Sequence, residues 1–309
     1  MNPFYRDYAD FLADVFGPGK VQKISIDAGH SCPNRDGTTG RGGCIYCNNT
    51  AFSPGYTARD RGGDIVRQID RGRQFFAGKY PSMRYLAYFQ SYTSTHGDDT
   101  DSLMAMYDTA AAQPGVAGIV IATRPDCMPD DLLERLAQLN RRLPVIVEYG
   151  VETSHDMTLA AINRCHTWAQ AEDAITRTAA AGLRVGVHLI MGLPGETTAM
   201  MMQTVARINA LPVSTVKFHQ LQVVKGTALA AMMADGRMTA GSPEKGGITL
   251  FTVEQYLDLC VMLVDALRPD IAIDRFTAQS PGALLVAPRW GLKNHEFTDL
   301  LHKRLRRID

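Results

Sequence analysis

Val145-Ile146-Val147-Glu148-Tyr149-Gly150-Val151 and Leu183-Arg184-Val185-Gly186-Val187-His188-Leu189-Ile190 flank the stretch Ala169 to Ala181, whose apolar residues recur at helical spacing. Two β-branched runs joined by an amphipathic helix make a strand–helix–strand unit. The same alternation extends outward in both directions. Upstream lie Val21 to Asp27, Arg84 to Gln90 and Gly118 to Thr123, and downstream lies Thr215 to Leu221. Asp130 to Arg141 and Thr197 to Leu211 read as further helices. From the second run on, successive strands begin roughly 30–40 residues apart, the length of one βα unit. Repetition of that unit specifies an α/β protein with a parallel sheet, either open or curled into a barrel.

Beyond about Gly226 the alternation weakens. A Gly-rich loop, Gly236 to Gly247, precedes a helix from Val253 to Leu267, a strand from Ile271 to Phe276 and a basic helix from Lys293 to Arg307. The expected organisation is an N-terminal segment (1–20), a core (21–228) and a C-terminal extension (229–309).

The first strand runs into Asp27-Ala28-Gly29-His30-Ser31-Cys32-Pro33-Asn34-Arg35-Asp36-Gly37, followed after six residues by Cys44-Ile45-Tyr46-Cys47. Three of the six cysteines therefore share one loop at the carboxyl end of a strand, where α/β proteins place their ligands. A 4Fe–4S cluster fits three thiolates in a Gly-rich loop and leaves one iron open. Zinc, with His30 as a fourth ligand, and three unrelated buried thiols are the competing readings. Cys127, Cys165 and Cys260 stand apart from the cluster of three.

Bulk properties narrow the classes. Six cysteines in 309 residues are too few for a disulfide framework, and no apolar run is long enough to span a bilayer. The polar, aromatic N-terminus lacks a secretory apolar region, so the cytoplasm is the expected address. A net charge of zero excludes a surface that binds polyanions all over, while leaving room for local basic patches.

The cysteine loop, Tyr88 to Thr95, Thr123 to Cys127, Glu148 to Asp156, His188 to Glu196, Val223 to Thr227 and Ala287 to Trp290 together resemble the radical S-adenosylmethionine (SAM) proteins related to the Elongator catalytic subunit. Their shorter bacterial relatives, uncharacterised Fe–S oxidoreductases, are more similar still. The resemblance implies a partial (β/α)6 TIM-like barrel and a 4Fe–4S cluster on Cys32, Cys44 and Cys47. It also implies SAM contacts from Tyr46, Gln90, Thr93, Thr95, Arg124, Glu148, Glu152, Gly192, Pro194 and Val224. An external electron donor such as a flavodoxin or ferredoxin and a tRNA substrate are its implied partners. The chain departs from the family pattern at His30, where the family has an aromatic residue, at Glu152 (glutamine) and at Cys165 (glycine). The extension expected at 229–309 does not read as an acetyltransferase-like domain, so the full Elongator activity is not implied.

Strand parity tests the barrel independently, because residues of one parity face the lumen. Glu148 and Glu152 share a face with Gly150, His188 shares one with Gly186, and Lys217 and His219 lie opposite Val216 and Phe218. With Arg275 they form an expected polar lumen, in which Glu148, His188, Lys217 and His219 are the catalytic candidates. A small-molecule or protein substrate in that lumen is the alternative to tRNA. A zinc- or cluster-bearing interaction module is the alternative to an enzyme.

Overall fold

The computed structural model describes residues 2–49, 62–78, 82–241 and 243–307. Each β-branched run forms a strand: β1 (Val21–Ile26), β2 (Arg84–Phe89), β3 (Val116–Thr123), β4 (Val145–Glu152), β5 (Arg184–Met191) and β6 (Thr215–Gln220). A short β7 (Val223–Val224) pairs antiparallel with β9 (Leu285–Ala287). Between these two in sequence comes β8 (Ala272–Arg275), which joins the main sheet. That sheet has the order β1-β2-β3-β4-β5-β6-β8 and is parallel throughout.

The alternation of side chains assigns the two faces. Val147, Tyr149 and Val151 join Val185, Val187, Leu189, Val216 and Phe218 in one apolar core against the surrounding helices. Those helices include Asp130–Asn140, Trp168–Ala180, Thr198–Asn209 and Val253–Ala266, close to the expected bounds. The opposite parity faces inward. There Lys23 Nζ on the first strand lies 2.7 Å from Asp274 Oδ2 on the last. The sheet is therefore curled into an open barrel with its two edges brought together.

Two features differ from the sequence reading. The strand assigned to the extension, now β8, is the seventh strand of the sheet. Unpaired, β6 would present an open edge, and β8 covers it while burying Ala272 and Ile273. The N-terminal segment holds a helix, Tyr8–Phe16, capped by the Asp7 carboxylate on Asp10 N. Phe11 of this helix packs with Leu86, Val120, Ile146 and Ala272 inside the sheet. Burying Phe11 contributes about 1.5–3 kcal/mol by area, and the helix closes the barrel with an apolar plug. Polar chemistry is left to the carboxyl ends of the strands.

Candidate active site in the barrel lumen

Cys32 is the N-cap of a single helical turn, Pro33–Asp36, and its carbonyl accepts from Arg35 N at 2.7 Å. The chain then returns through Gly43 (φ +75°), where a Cβ would stand 2.8 Å from Arg35 Nε. That close approach leads directly into Cys44 and Cys47, which are linked by a Cys47 N to Cys44 O hydrogen bond of 3.0 Å. All three thiol residues line one cavity of about 280 Å³.

Cationic groups surround this end. Arg164 Nη1 lies 3.6 Å from Cys44 Sγ, and Arg35 Nη2 donates to Cys47 O at 2.9 Å. Arg124 forks onto Asp126 at 2.9 Å through Nε and Nη2, and its Nη2 also reaches Arg164 O. Arg124 Nη1, Arg164 Nε and Thr93 Oγ1 are buried without a hydrogen-bond partner among the described residues, and all three residues line the cavity. Unmet donors beside a set of thiols fit a ligand that brings acceptors and negative charge.

The lumen behind is also polar but differently arranged. Glu148 Oε1 accepts from Lys23 Nζ at 2.8 Å, and its Oε2 accepts from His188 Nε2 at 3.0 Å and from Lys217 Nζ. Lys217 also reaches Tyr88 Oη at 3.1 Å and lies 3.6 Å from Asp274. Burial opposes the charge on Glu148, but Lys217, Lys23 and His188 outweigh it and hold its carboxyl well below the ordinary range. Burial, with Lys217 adding to it, draws His188 down to about 4. A neutral His188 that donates Nε2–H to a carboxylate keeps Nδ1 as an acceptor. Burial and Arg275 similarly hold His219 well below its usual value.

The Radical SAM superfamily model matches residues 32–208, more than half of the chain, beginning at the first of the three thiols. This chain belongs to the radical SAM superfamily. The Radical_SAM C-terminal domain model matches residues 213–307. YtqA, an uncharacterized protein of Bacillus subtilis, is 34% identical over 95% of this chain and 87% of its own length. A tRNA uridine(34) acetyltransferase of Methanocaldococcus jannaschii is 26% identical over 72% of this chain and 42% of its own. The structure of archaeal Methanocaldococcus infernus Elp3 shares the fold with a TM-score of 0.67 at 15% identity, covering 94% of this chain and 63% of that one. The chain therefore spans less than two thirds of that structure.

Radical SAM enzymes use a 4Fe–4S cluster and SAM and draw electrons from an external reductant, so this chain is an enzyme and not an interaction module. The superfamily match favours the 4Fe–4S cluster over zinc at these thiols. His30, the expected fourth zinc ligand, sets Nδ1 at 3.4 Å from Asp98.

The structure gathers most of the expected site. Tyr46, Gln90, Thr93, Arg124, Glu148, Glu152, His188 and His219 line the thiol cavity. Thr95, Lys217, Gly192, Pro194 and Val224 are absent from its described lining. The Thr95 hydroxyl is used on Thr123 Oγ1 at 2.5 Å and on Cys127 O. Lys217 is buried behind Glu148. Gly192 has φ +95°, and a Cβ there would meet Thr249 O at 2.3 Å. The close approach that requires glycine at 192 is thus to the 249 segment of the chain itself.

Lys23, Arg164 and Asp274 join the site beyond the residues expected from sequence. Lys23 shares strand parity with Ser25 and was open to the same face argument as Glu148. Arg164 carried no signal, because only the fold brings it to Cys44. Cys165 has φ +59°, a left-handed conformation that explains why glycine suits this position in the resembling family.

Proposed function

We propose that this enzyme cleaves SAM reductively at a cluster held by Cys32, Cys44 and Cys47, and that a hydrogen atom is then taken from a substrate seated deeper in the same lumen. The supporting observation is that the three thiols, the unmet donors of Thr93 and Arg124, and the His188–His219–Arg275 wall all face one cavity. When bound, the cluster and SAM supply the electron and the 5′-deoxyadenosyl radical that abstracts hydrogen. The protein supplies position, polarity and exclusion of water. Arg124 Nη1 and Thr93 Oγ1 offer donors to the carboxylate of SAM. Arg164, 3.3 Å from Glu152 and 3.6 Å from Cys44, screens one thiolate while anchoring the end of β4. His188 Nδ1 is read as an acceptor for a hydrogen bond from substrate, with Glu148 holding the ring. The electron donor is read as a flavodoxin or ferredoxin.

The substrate is read as tRNA, supported by the likeness to the tRNA uridine(34) acetyltransferase. The basic C-terminal helix, Asn294–Leu305, offers less than its sequence suggests. Arg304 is held by Glu254 and Asp258, which leaves Lys303, Arg306 and Arg307 for phosphate. Anaerobic protein with dithionite is expected to form 5′-deoxyadenosine from SAM; a fully iron-loaded protein that forms none would overturn the core reading. Filter binding of bulk tRNA across salt concentrations tests the substrate. Replacing Lys303 and Arg306 by glutamine is expected to reduce the salt slope by roughly 1–2. Wild-type protein that binds no tRNA at low salt would move the substrate to a small molecule in the lumen.

A further inference from the structure

We infer that Arg275 anchors an anionic group of the substrate, a carboxylate or a phosphate, on the cavity wall made by β6 and β8. This rests on the reductive-cleavage reading above and names the chemistry that the same lumen selects.

The argument is one of charge balance. Lys23 and Lys217 are matched by Glu148 and Asp274, each cation lying within 4 Å of both carboxylates. Arg275 is a third cation in the same wall, aligned with Lys217 across the β6–β8 register. It makes no hydrogen bond or ion pair with any described residue, and its Nε is buried without a partner. Its neighbour Asp274 already accepts from Lys23 at 2.7 Å. His188 and His219, whose rings stand 5.5 Å apart, are held neutral by burial and add no further positive charge, so the excess is that of Arg275. Burying a guanidinium N–H unpaired is costly, and an anion in the cavity would meet both that donor and the excess positive charge. The planar fork of arginine suits carboxylate or phosphate oxygens in particular. A second anion position is implied besides that of SAM, whose carboxylate has Arg124 and Thr93 near the thiols.

The test uses anaerobically reconstituted holoenzyme saturated with SAM, titrated calorimetrically with inorganic phosphate and, separately, with glutarate. The wild type is expected to bind at least one of the two. Phosphate alone would identify a phosphate ester, and glutarate alone a carboxylate. Arg275→Gln is expected to weaken that binding at least about tenfold, as loss of a charge-assisted fork requires, with Arg275→Lys intermediate. Iron content and SAM affinity should match the wild type in both variants. Three results would overturn the inference: no anion binding by wild type that cleaves SAM, equal binding by both variants, or displacement of SAM by the anion. A wild type that takes up neither iron nor SAM would overturn the reading beneath it as well.

Discussion

At the thiol end of the lumen, Arg124 and Arg164 carry buried donors that no described acceptor meets, whereas deeper in, Lys23 and Lys217 are matched by Glu148 and Asp274. Both regions are polar and buried, yet they differ in what completes them. We read the first as completed by a ligand, because Arg124 and Arg164 are only partly committed to Asp126 and Glu152. The second is completed by the protein itself, and there removal of one partner leaves a buried charge. Contiguous sequence, Cys32 to Cys47, supplies the thiols of the first, while Arg124 and Arg164 reach them from elsewhere in the chain. Five strands build the second, since Lys23, Tyr88, Glu148, Lys217 and Asp274 come from β1, β2, β4, β6 and β8.

The largest expected effect lies at the thiol end. Cys32→Ala, Cys44→Ala and Cys47→Ala should each abolish uptake of about four iron and four sulfide per chain, the content of this cluster type. Cys260→Ala, buried in helix Val253–Ala266, should not. Iron and sulfide assays on anaerobic protein decide it, and the same loss from the lumen variant Lys217→Met would break the comparison.

Next in size is the self-neutralised network. Lys217→Met should lower unfolding free energy by about 3–5 kcal/mol, because Glu148 keeps its charge with one counter-ion fewer. Urea unfolding of Lys217→Met, Glu148→Gln and the double variant should show strong non-additivity. Simple addition would mean that the pair is not coupled.

The same network sets a pH dependence. His188 is drawn down to about 4 from an ordinary value of 6.5, so its contribution to stability is present above pH 6.5 and is lost as pH falls through 4. The loss amounts to roughly 3 kcal/mol. Glu196, pushed up to about 7 by burial, acts in the opposite sense, gaining stability as pH falls toward 4.5. The informative quantity is therefore the difference between wild type and His188→Gln. That difference should shrink between pH 6.5 and 4, and a constant difference would show that His188 titrates normally.

The smallest effect sharpens the boundary of the thiol region. Cys165 sits beside Asn34, with Sγ 3.2 Å from Oδ1, and in the left-handed conformation. Cys165→Gly trades that contact for relaxed backbone and should change stability by less than about 1 kcal/mol, with iron content unchanged. A loss of iron would place Cys165 within the cluster's support.

Much of this was local enough to be legible. Glu148, His188 and His219 could be assigned to one face because strand alternation has a period of two, and the thiol loop could be assigned a cluster because its spacing is contiguous. Lys217 was correctly faced inward, but its depth was not legible, because parity gives direction and says nothing of what stands in front. Gly192 is implied by resemblance as a SAM contact, yet what packs against its Cα is Thr249 O, beyond any local pattern.

By itself the sequence determined the βα repeat, the three thiols and the parity of the lumen, since each follows from short-range periodicity or spacing. Only the tertiary structure decided that β8 completes the sheet, that Arg164 reaches Cys44 across 120 residues, and that Lys23 meets Asp274 across 251. Those contacts depend on register and on how far the sheet curls. Both are set by packing of the helices and of the Phe11 plug against the whole sheet, an energy summed over distant residues that no single segment encodes.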